Sequence, residues 1–170
     1  MDNIEKGLLD IANYMAISAR TAPKAKGVDN IVIKILHGDE LQGIADKMEE
    51  TGEKTARPKT FSRDAECVRK STCMLLLGTR YGTFGLDCGF CGFKKCDEAL
   101  SHGATCAYNS GDLGIAVGSA ADTAARFHVD NRILYTAGYT AIKHGLFGQD
   151  IRMALGIPMS ATGKNPFFDR

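Results

Sequence analysis

The run STCMLLLGT, residues 71–79, constrains the fold of this chain most. A short continuous apolar run bounded by polar residues and glycine is typical of a buried β-strand. NIVIKIL, residues 30–36, is rich in β-branched residues and predicts a second buried strand, and IRMALGIP, residues 151–158, predicts a last one. The chain must therefore build a sheet that other elements cover.

Stretches with helical periodicity separate these strands. The first predicted helix covers residues 2–21, with Asp2 or Asn3 able to cap its start. Asp112 is predicted to cap a later helix, and the charged segment 49–60 is predicted to be a mobile loop. A second predicted helix begins at Asp39, and three more cover residues 62–70, 112–127 and 131–144. Alternating helices and buried strands indicate an α/β or α+β domain with helices over a small sheet.

Length and charge are those of one ordinary globular domain. A chain of 170 residues can bury a core without disulfides. Its formal net charge of +1 argues against a nucleic-acid partner, which would require a basic surface. The sequence has no apolar run of about 18 residues, so we expect no membrane partner. The N-terminus carries acidic residues where a signal peptide would be basic, which predicts a cytoplasmic protein.

Four cysteines with close spacing are the most informative motif: Cys88-x2-Cys91-x4-Cys96-x9-Cys106. Thiolates are soft ligands, and four of them suit an iron–sulfur cluster or zinc. Structural zinc sites more often combine two short Cys-x2–4-Cys knuckles. Here the second half of the motif is Cys96-x9-Cys106, which is not such a knuckle. The spacing therefore favours a [4Fe–4S] cluster, with zinc as the alternative.

Residues beside these cysteines refine the prediction. Gly89 and Gly92 allow left-handed backbone torsions that leave N–H groups free to point at cluster sulfurs. His102 lies between the last two cysteines and is an alternative to Cys106 as the fourth ligand. Cys67 and Cys73 have apolar or mixed neighbours, and we interpret them as small buried hydrophobic residues.

Two stretches resemble known families. CGFCGFKKCDEAL resembles a short ferredoxin-type domain, and DLGIAVGSAADTAARFHVDNRILYTAGYTAIKHG resembles the ferredoxin-domain proteins known as DUF2148. LGIPMSATGKNPFFDR continues the second resemblance, which covers nearly the whole chain. The resemblance implies a single domain, residues 1–170, with a cluster-binding insertion at residues 80–110.

A more distant resemblance is to the nitroreductase-like flavoproteins. SARTAPKAKGVDNIVIKIL, residues 18–36, is similar to their helix, Ala-Pro-Ser loop and first strand. DLGIAVGSA is similar to their dimer-interface helix, in which Gly114 and Gly118 would permit a close neighbour. The resemblance implies an α+β fold in three layers, α/β/α, and an intertwined homodimer that holds FMN at its interface.

The flavin-binding residues that this resemblance implies differ from the family pattern. The paired arginines that grip the FMN phosphate are absent, and Lys24 replaces the loop serine. Basic residues near the two ends of the chain are the candidates for that phosphate: Arg20, Lys24, Lys26, Lys164 and Arg170.

These observations favour an iron–sulfur redox protein, with FMN, that transfers electrons to or from a small substrate or redox partner. No residue can be named as its catalytic acid or base. A flavin-free ferredoxin-like carrier or sensor is one alternative, and a zinc-stabilised structural protein is another.

Overall fold

A four-stranded antiparallel sheet forms the centre of the computed structural model, which describes residues 2–148 and 150–168. Its strands are β1 (Ile31–His37), β2 (Cys73–Arg80), β3 (Asp130–Asn131) and β4 (Ile151–Ser160), in the spatial order β1-β2-β4-β3. The helices are α1 (Asn3–Thr21), α2 (Asp39–Glu53), α3 (Pro58–Arg69), α4 (Cys96–Ser101), α5 (Ala107–Arg126) and α6 (Tyr135–Lys143), with a 3₁₀ turn at Ala25–Gly27.

Strand β2 divides the core into two halves. Leu75 and Leu77 project into the cluster formed with α1 and α5, and Met74 and Leu76 into the cluster formed with α2, α3 and α6. This alternation follows from the period of two along a strand, and it explains why the run is apolar at successive positions. The predicted α+β fold with three layers, α/β/α, is confirmed.

Local signals set the helix boundaries where the sequence carries them. The side chain of Asp2 accepts a hydrogen bond from Glu5 N–H, and the Glu5 side chain accepts one from Asp2 N–H, which completes a capping box.

The predicted mobile loop at 49–60 is wrong, because α2 continues to Glu53 and α3 begins at Pro58. Proline is favourable in the first turn of a helix, and here it starts α3.

Helix α5 begins earlier than predicted. Its N-cap is Cys106, not Asp112, so Asp112 lies inside the helix. The Asp112 carboxylate is buried and accepts a hydrogen bond from Ala25 N–H, with N···O distances of 3.2 and 3.0 Å to its two oxygens. The sequence around Asp112 gives no sign of this contact with Ala25, because the two residues are far apart along the chain. Asp112 was therefore interpreted as an N-cap.

The expectation that no segment crosses a membrane is consistent with the helices. Throughout residues 2–148 and 150–168, none has the length and apolar character that a membrane span requires.

The packing of α6 against β4 gives a sharp stability prediction. A Cβ at Gly138 would overlap the carbonyl group of Ala154, whereas a Cβ at Gly43 in α2 would have no atom within 4 Å. We expect Gly138→Ala to lower the free energy of unfolding by about 2–3 kcal/mol or more through overpacking. Gly43→Ala should raise it by roughly 0.5–1 kcal/mol, because alanine has less backbone entropy to lose. Urea denaturation measures both, and equal stability of the two variants would contradict the packing described.

Candidate cofactor sites

The four cysteines of the motif line one cleft at the end of β2. Cys88, Cys91, Cys96 and Cys106 all contribute to its wall. The first three belong to the segment between β2 and α4 or to the first residue of α4, and Cys106 caps α5. Cys106 is 8 % exposed, whereas Cys88 is exposed and the other two are intermediate. The structure thus brings together all four predicted metal ligands, which we name the cysteine cleft.

Asp87 holds the two sides of this cleft together. Its N–H donates to Cys96 Sγ at 3.4 Å, and its carboxylate accepts from Cys96 N–H at 2.7 Å. The hydrogen bond from the Cys96 backbone holds the pKa of this carboxyl below its usual range. Asp87 adopts φ +47°, a costly conformation for a residue with a side chain, so the reciprocal bridge must stabilise the turn. Backbone N–H groups that point at cysteine sulfurs are a typical feature of metal–thiolate sites.

Glycine supplies the other turns of the cleft. Gly89 and Gly92 have φ +76° and +88°, in the left-handed region that the sequence predicted. Gly92 N–H donates to the Gly89 carbonyl at 2.9 Å, which closes a tight turn around Cys91. A Cβ at either glycine would meet no atom within 4 Å, so the backbone torsion, and not crowding, accounts for glycine here.

Aromatic and aliphatic side chains surround the sulfurs. Phe84, Leu86, Phe93 and Tyr108 form the apolar part of the lining of the cysteine cleft. Phe90, 74 % exposed, stacks on Tyr108 with ring centroids 5.8 Å apart. An apolar wall limits the access of water to a bound centre and thereby influences its reduction potential.

The cysteine side chains of this cleft do not converge tightly enough to bind a single metal ion. Within the described parts of the chain, no three His, Cys, Asp or Glu side chains form a group that could hold a single ion. Zinc needs its ligands about 2.3 Å from one point. A four-iron cluster binds each cysteine to a different iron, so its sulfurs lie further apart around a wider centre. The donor set and its backbone N–H group therefore fit a cluster.

His102 lies outside the cysteine cleft. It follows α4, its Nδ1 is 2.9 Å from the Glu98 carbonyl, and its ring lies beside Phe93 with centroids 5.3 Å apart. His102 does not line the cleft, whereas Cys106 does. The geometry thus favours Cys106 over His102 as the fourth ligand.

Hydrogen bonds fasten the cysteine cleft to the segment between α1 and β1. Asn109, only 2 % exposed, donates to the Gly82 carbonyl at 2.8 Å and accepts from the Asn30 amide at 3.0 Å. The Lys26 ammonium donates to the Phe84 carbonyl at 3.2 Å. These contacts were not predicted, because nothing in the local sequence around Asn109 identifies its partners.

Two cysteines take no part in this site. Cys67 and Cys73 are buried, as predicted. Burial raises the pKa of the Cys67 thiol, with Asp64 adding to the effect, and burial raises the pKa of Cys73 to about 12. Both thiols are therefore protonated and unreactive at neutral pH.

A second and larger cleft, of about 780 Å³, lies near the other end of β2. One face of α3 forms one wall, since Arg63, Glu66, Cys67 and Lys70 repeat at helical spacing. Residues 162 and 164–168 and Arg132 form the opposite wall. We name it the cationic cleft, because four of its lining side chains are basic and one is acidic. The helical spacing on α3 is the sequence signal that would have found it.

The opposite wall of the cationic cleft is held in place by Arg132. Its guanidinium donates to the Phe167 carbonyl at 2.8 Å and lies 5.1 Å from the centroid of the Phe168 ring. Asn165 donates to Asp130 at 2.8 Å and accepts from Phe167 N–H at 2.8 Å. The tail therefore presents aromatic and basic groups to one cavity, a combination that suits a planar, anionic ligand.

The structure separates the predicted phosphate-binding residues. Arg20 pairs with Asp29 at 2.5 Å, and Lys24 Nζ donates to the carbonyls of Ala19, Arg20 and Ala22 at 3.0, 2.8 and 2.7 Å, which caps α1. Both lie with Lys26 at the end of the sheet that carries the cysteine cleft. Lys164 lies in the cationic cleft, and Arg170 is outside the described residues.

Sequence comparison identifies relatives of this chain. The family of "uncharacterized protein containing a ferredoxin domain (DUF2148)" matches residues 102–170, a segment that includes Cys106 and begins after Cys96. An "uncharacterized protein" of Archaeoglobus fulgidus is 45 % identical over 174 residues, which cover 97 % of this chain and 92 % of the relative.

Structural comparison identifies the fold. A nitroreductase with bound FMN from Desulfitobacterium hafniense aligns over 95 % of this chain and 82 % of its own, with TM-score 0.60 and 13 % identity. A BluB-like flavoprotein from Clostridium difficile aligns over 91 % and 83 %, with TM-score 0.59 and 15 % identity. An FMN-dependent nitroreductase from Mycobacterium smegmatis, in complex with NADPH, aligns over 91 % and 78 %, with TM-score 0.61 and 11 % identity. The predicted nitroreductase-like fold is confirmed.

Exposed Cys88 of the cysteine cleft and buried Cys73 of β2 should differ in reactivity. In native, metal-free protein at pH 8, we expect iodoacetamide to alkylate exposed Cys88 first and to leave Cys73 intact. With a pKa of about 12, only roughly one Cys73 thiol in ten thousand is the reactive thiolate at that pH. Mass spectrometry of digested samples measures each site, and protein unfolded in urea is the control in which all six should react. Rapid native alkylation of Cys73 would contradict its burial.

Proposed function

We propose an iron–sulfur redox function for this chain, which belongs to the family of uncharacterised proteins containing a ferredoxin domain, DUF2148. The observation that carries the proposal is the convergence of Cys88, Cys91, Cys96 and Cys106 on one cleft. Four cysteine donors suit a [4Fe–4S] cluster, and a backbone N–H aimed at one sulfur and an apolar wall are features that tune such a cluster.

We further propose FMN as the second cofactor, bound in the cationic cleft. Its volume of about 780 Å³ lies in the range of small-molecule sites. Arg132 and Lys164 provide cations for a phosphate, and the Phe168 ring provides a flat apolar surface for the flavin. FMN is also named for the nitroreductase-like proteins that share the fold.

The two groups would divide the chemistry between them. When bound, the cluster carries one electron at a time and FMN accepts or donates two, so the pair would connect a one-electron carrier protein with a two-electron substrate. The residues of this chain would hold these groups, shield the cluster from water and neutralise the FMN phosphate. Because six free thiols suit a reducing compartment, we place this activity in the cytoplasm.

Two other functions remain as alternatives. A flavin-free electron carrier or sensor is favoured by the ion pair of Arg20 and the capping role of Lys24, which occupy two of the predicted phosphate ligands. A zinc-stabilised structural protein would use the same cysteines, although they do not form a closed site for one ion. Metal and flavin content distinguish the three functions.

The cluster is tested by anaerobic reconstitution with iron and sulfide. We expect wild-type protein to contain about four irons and to absorb broadly in the visible range, as a [4Fe–4S] cluster does. Cys88→Ser, Cys91→Ser, Cys96→Ser and Cys106→Ser should each lose most of the iron. Cys67→Ala and His102→Ala are the matched controls and should keep it. Zinc in place of iron, or iron retained in Cys106→Ser but lost in His102→Ala, would overturn this part of the proposal.

The flavin is tested by titrating FMN into the protein and following its fluorescence. We expect Lys164→Ala to weaken binding roughly tenfold to a hundredfold, since a hydrogen bond to a charged group contributes about 1.5–3 kcal/mol. Lys6→Ala removes the same charge from α1, outside the cationic cleft, and should leave the affinity unchanged. No FMN binding by wild-type protein that contains its cluster would leave the flavin-free carrier as the function.

A further inference from the structure

A smaller cavity, of about 220 Å³, lies on the face of α3 opposite to the cationic cleft. Its lining comes from the segment between α2 and α3, from α3 and from α6: Thr55, Ala56, Arg57, Phe61, Tyr135 and Tyr139. We name it the aromatic pocket. Phe61 is about half a helical turn round from Arg63 and Lys70, so α3 itself separates the two cavities. Neither of the proposed cofactors uses this pocket.

Three aromatic rings give the aromatic pocket its shape. The buried ring of Phe61 lies between two tyrosines, and the rings of Tyr135 and Tyr139 stand at 81° and 74° to it, with centroids 6.0 and 6.1 Å away. The two tyrosines are four residues apart, so they are neighbours on one face of α6. Both remain exposed, by 46 % and 40 %. Exposed aromatic faces grouped in this way suit contact with a planar ligand.

The charges around the aromatic pocket indicate the polar group of that ligand. Arg57 lines the pocket, is exposed, and its guanidinium has no hydrogen-bond or ion-pair partner among the described residues. Lys143 adds a second cation, with Nζ 5.3 Å from the centroid of the Tyr139 ring. The described lining includes no acidic side chain. Aromatic rings alone would attract a cation, but two flanking cations oppose one and favour a carboxylate, which a guanidinium binds well.

We propose that the aromatic pocket binds a small aromatic carboxylate. Its ring lies against Tyr135 and Tyr139, and its carboxylate accepts hydrogen bonds from Arg57. A volume of about 220 Å³ is below the range of sites for drug-sized ligands, so it suits one ring with its acid group and is too small for a flavin. The inference goes beyond the proposed redox function, because the pocket shares no residue with the cysteine cleft or the cationic cleft.

Benzoate titrated into ¹⁵N-labelled protein, followed by NMR, tests the proposal. We expect a dissociation constant of about 1 mM, as suits so small a ligand, and the largest shifts in the amide signals of Arg57, Phe61 and Tyr139. Benzamide and benzylammonium carry the same ring with no charge or a positive charge, and both should bind at least about tenfold more weakly. Saturable shifts confined to Arg132 and Lys164 would place benzoate in the cationic cleft and overturn the proposal. Benzylammonium binding as tightly as benzoate, or no saturable shift at all, would also overturn it.

Two exposed substitutions separate the contributions of the acid group and the ring. Arg57→Gln should weaken benzoate binding about tenfold and leave benzamide binding unchanged. Tyr139→Leu should weaken both ligands roughly threefold to tenfold, because an aromatic contact is lost. The matched controls are Arg126→Gln, whose guanidinium pairs with Asp122 on α5, and Tyr14→Leu, an exposed tyrosine of α1, and both should bind as wild type does. Unchanged benzoate affinity in folded Arg57→Gln would contradict the assigned carboxylate contact and overturn the proposal.

The redox function and the aromatic pocket fail in different ways. Protein that takes up neither iron nor flavin but shows the benzoate shifts at Arg57 contradicts the redox function and leaves the carboxylate site intact. Protein that contains both cofactors but shows no benzoate shift contradicts the carboxylate site alone.

Discussion

Burial of β2 on both faces is the constraint on which the rest of this structure depends. Its residues Cys73–Thr79 are all buried, so helices must cover both sides of the sheet. Side chains in the middle of the strand are committed to packing, and little room remains there for a ligand. Chemistry is consequently confined to the ends of the strand, and both candidate sites lie there.

The contacts around the cysteine cleft explain how an irregular segment can be held in a defined shape. The stretch between β2 and α4 has almost no regular structure, and its walls are fixed by Asn109, Asp87 and Lys26 through hydrogen bonds to backbone groups. Such bonds fix the backbone of the segment where it has no regular secondary structure. The same bonds connect the cysteines with the segment between α1 and β1.

The sequence predicted the elements with strong periodicity and the grouping of the closely spaced cysteines. The three long strands, α1 and the cysteine motif need only local information, and the structure agrees with each within a few residues. Contacts between distant parts of the chain were not predictable in this way. Asp112 resembled a cap and instead binds Ala25 N–H, and Lys24 resembled a phosphate ligand and instead caps α1. In both cases a partner brought close only by folding decides the role of the charge.

The strand order has a consequence for the way the protein matures. β4 lies between β2 and β3 and follows the other three strands along the described chain. Until β4 is synthesised, β2 has one open edge and β3 lacks its strand partner, so the sheet cannot be completed before β4 is available. All six cysteines are translated before that moment. The six thiols are therefore present on the chain before the sheet beside the cysteine cleft can be completed.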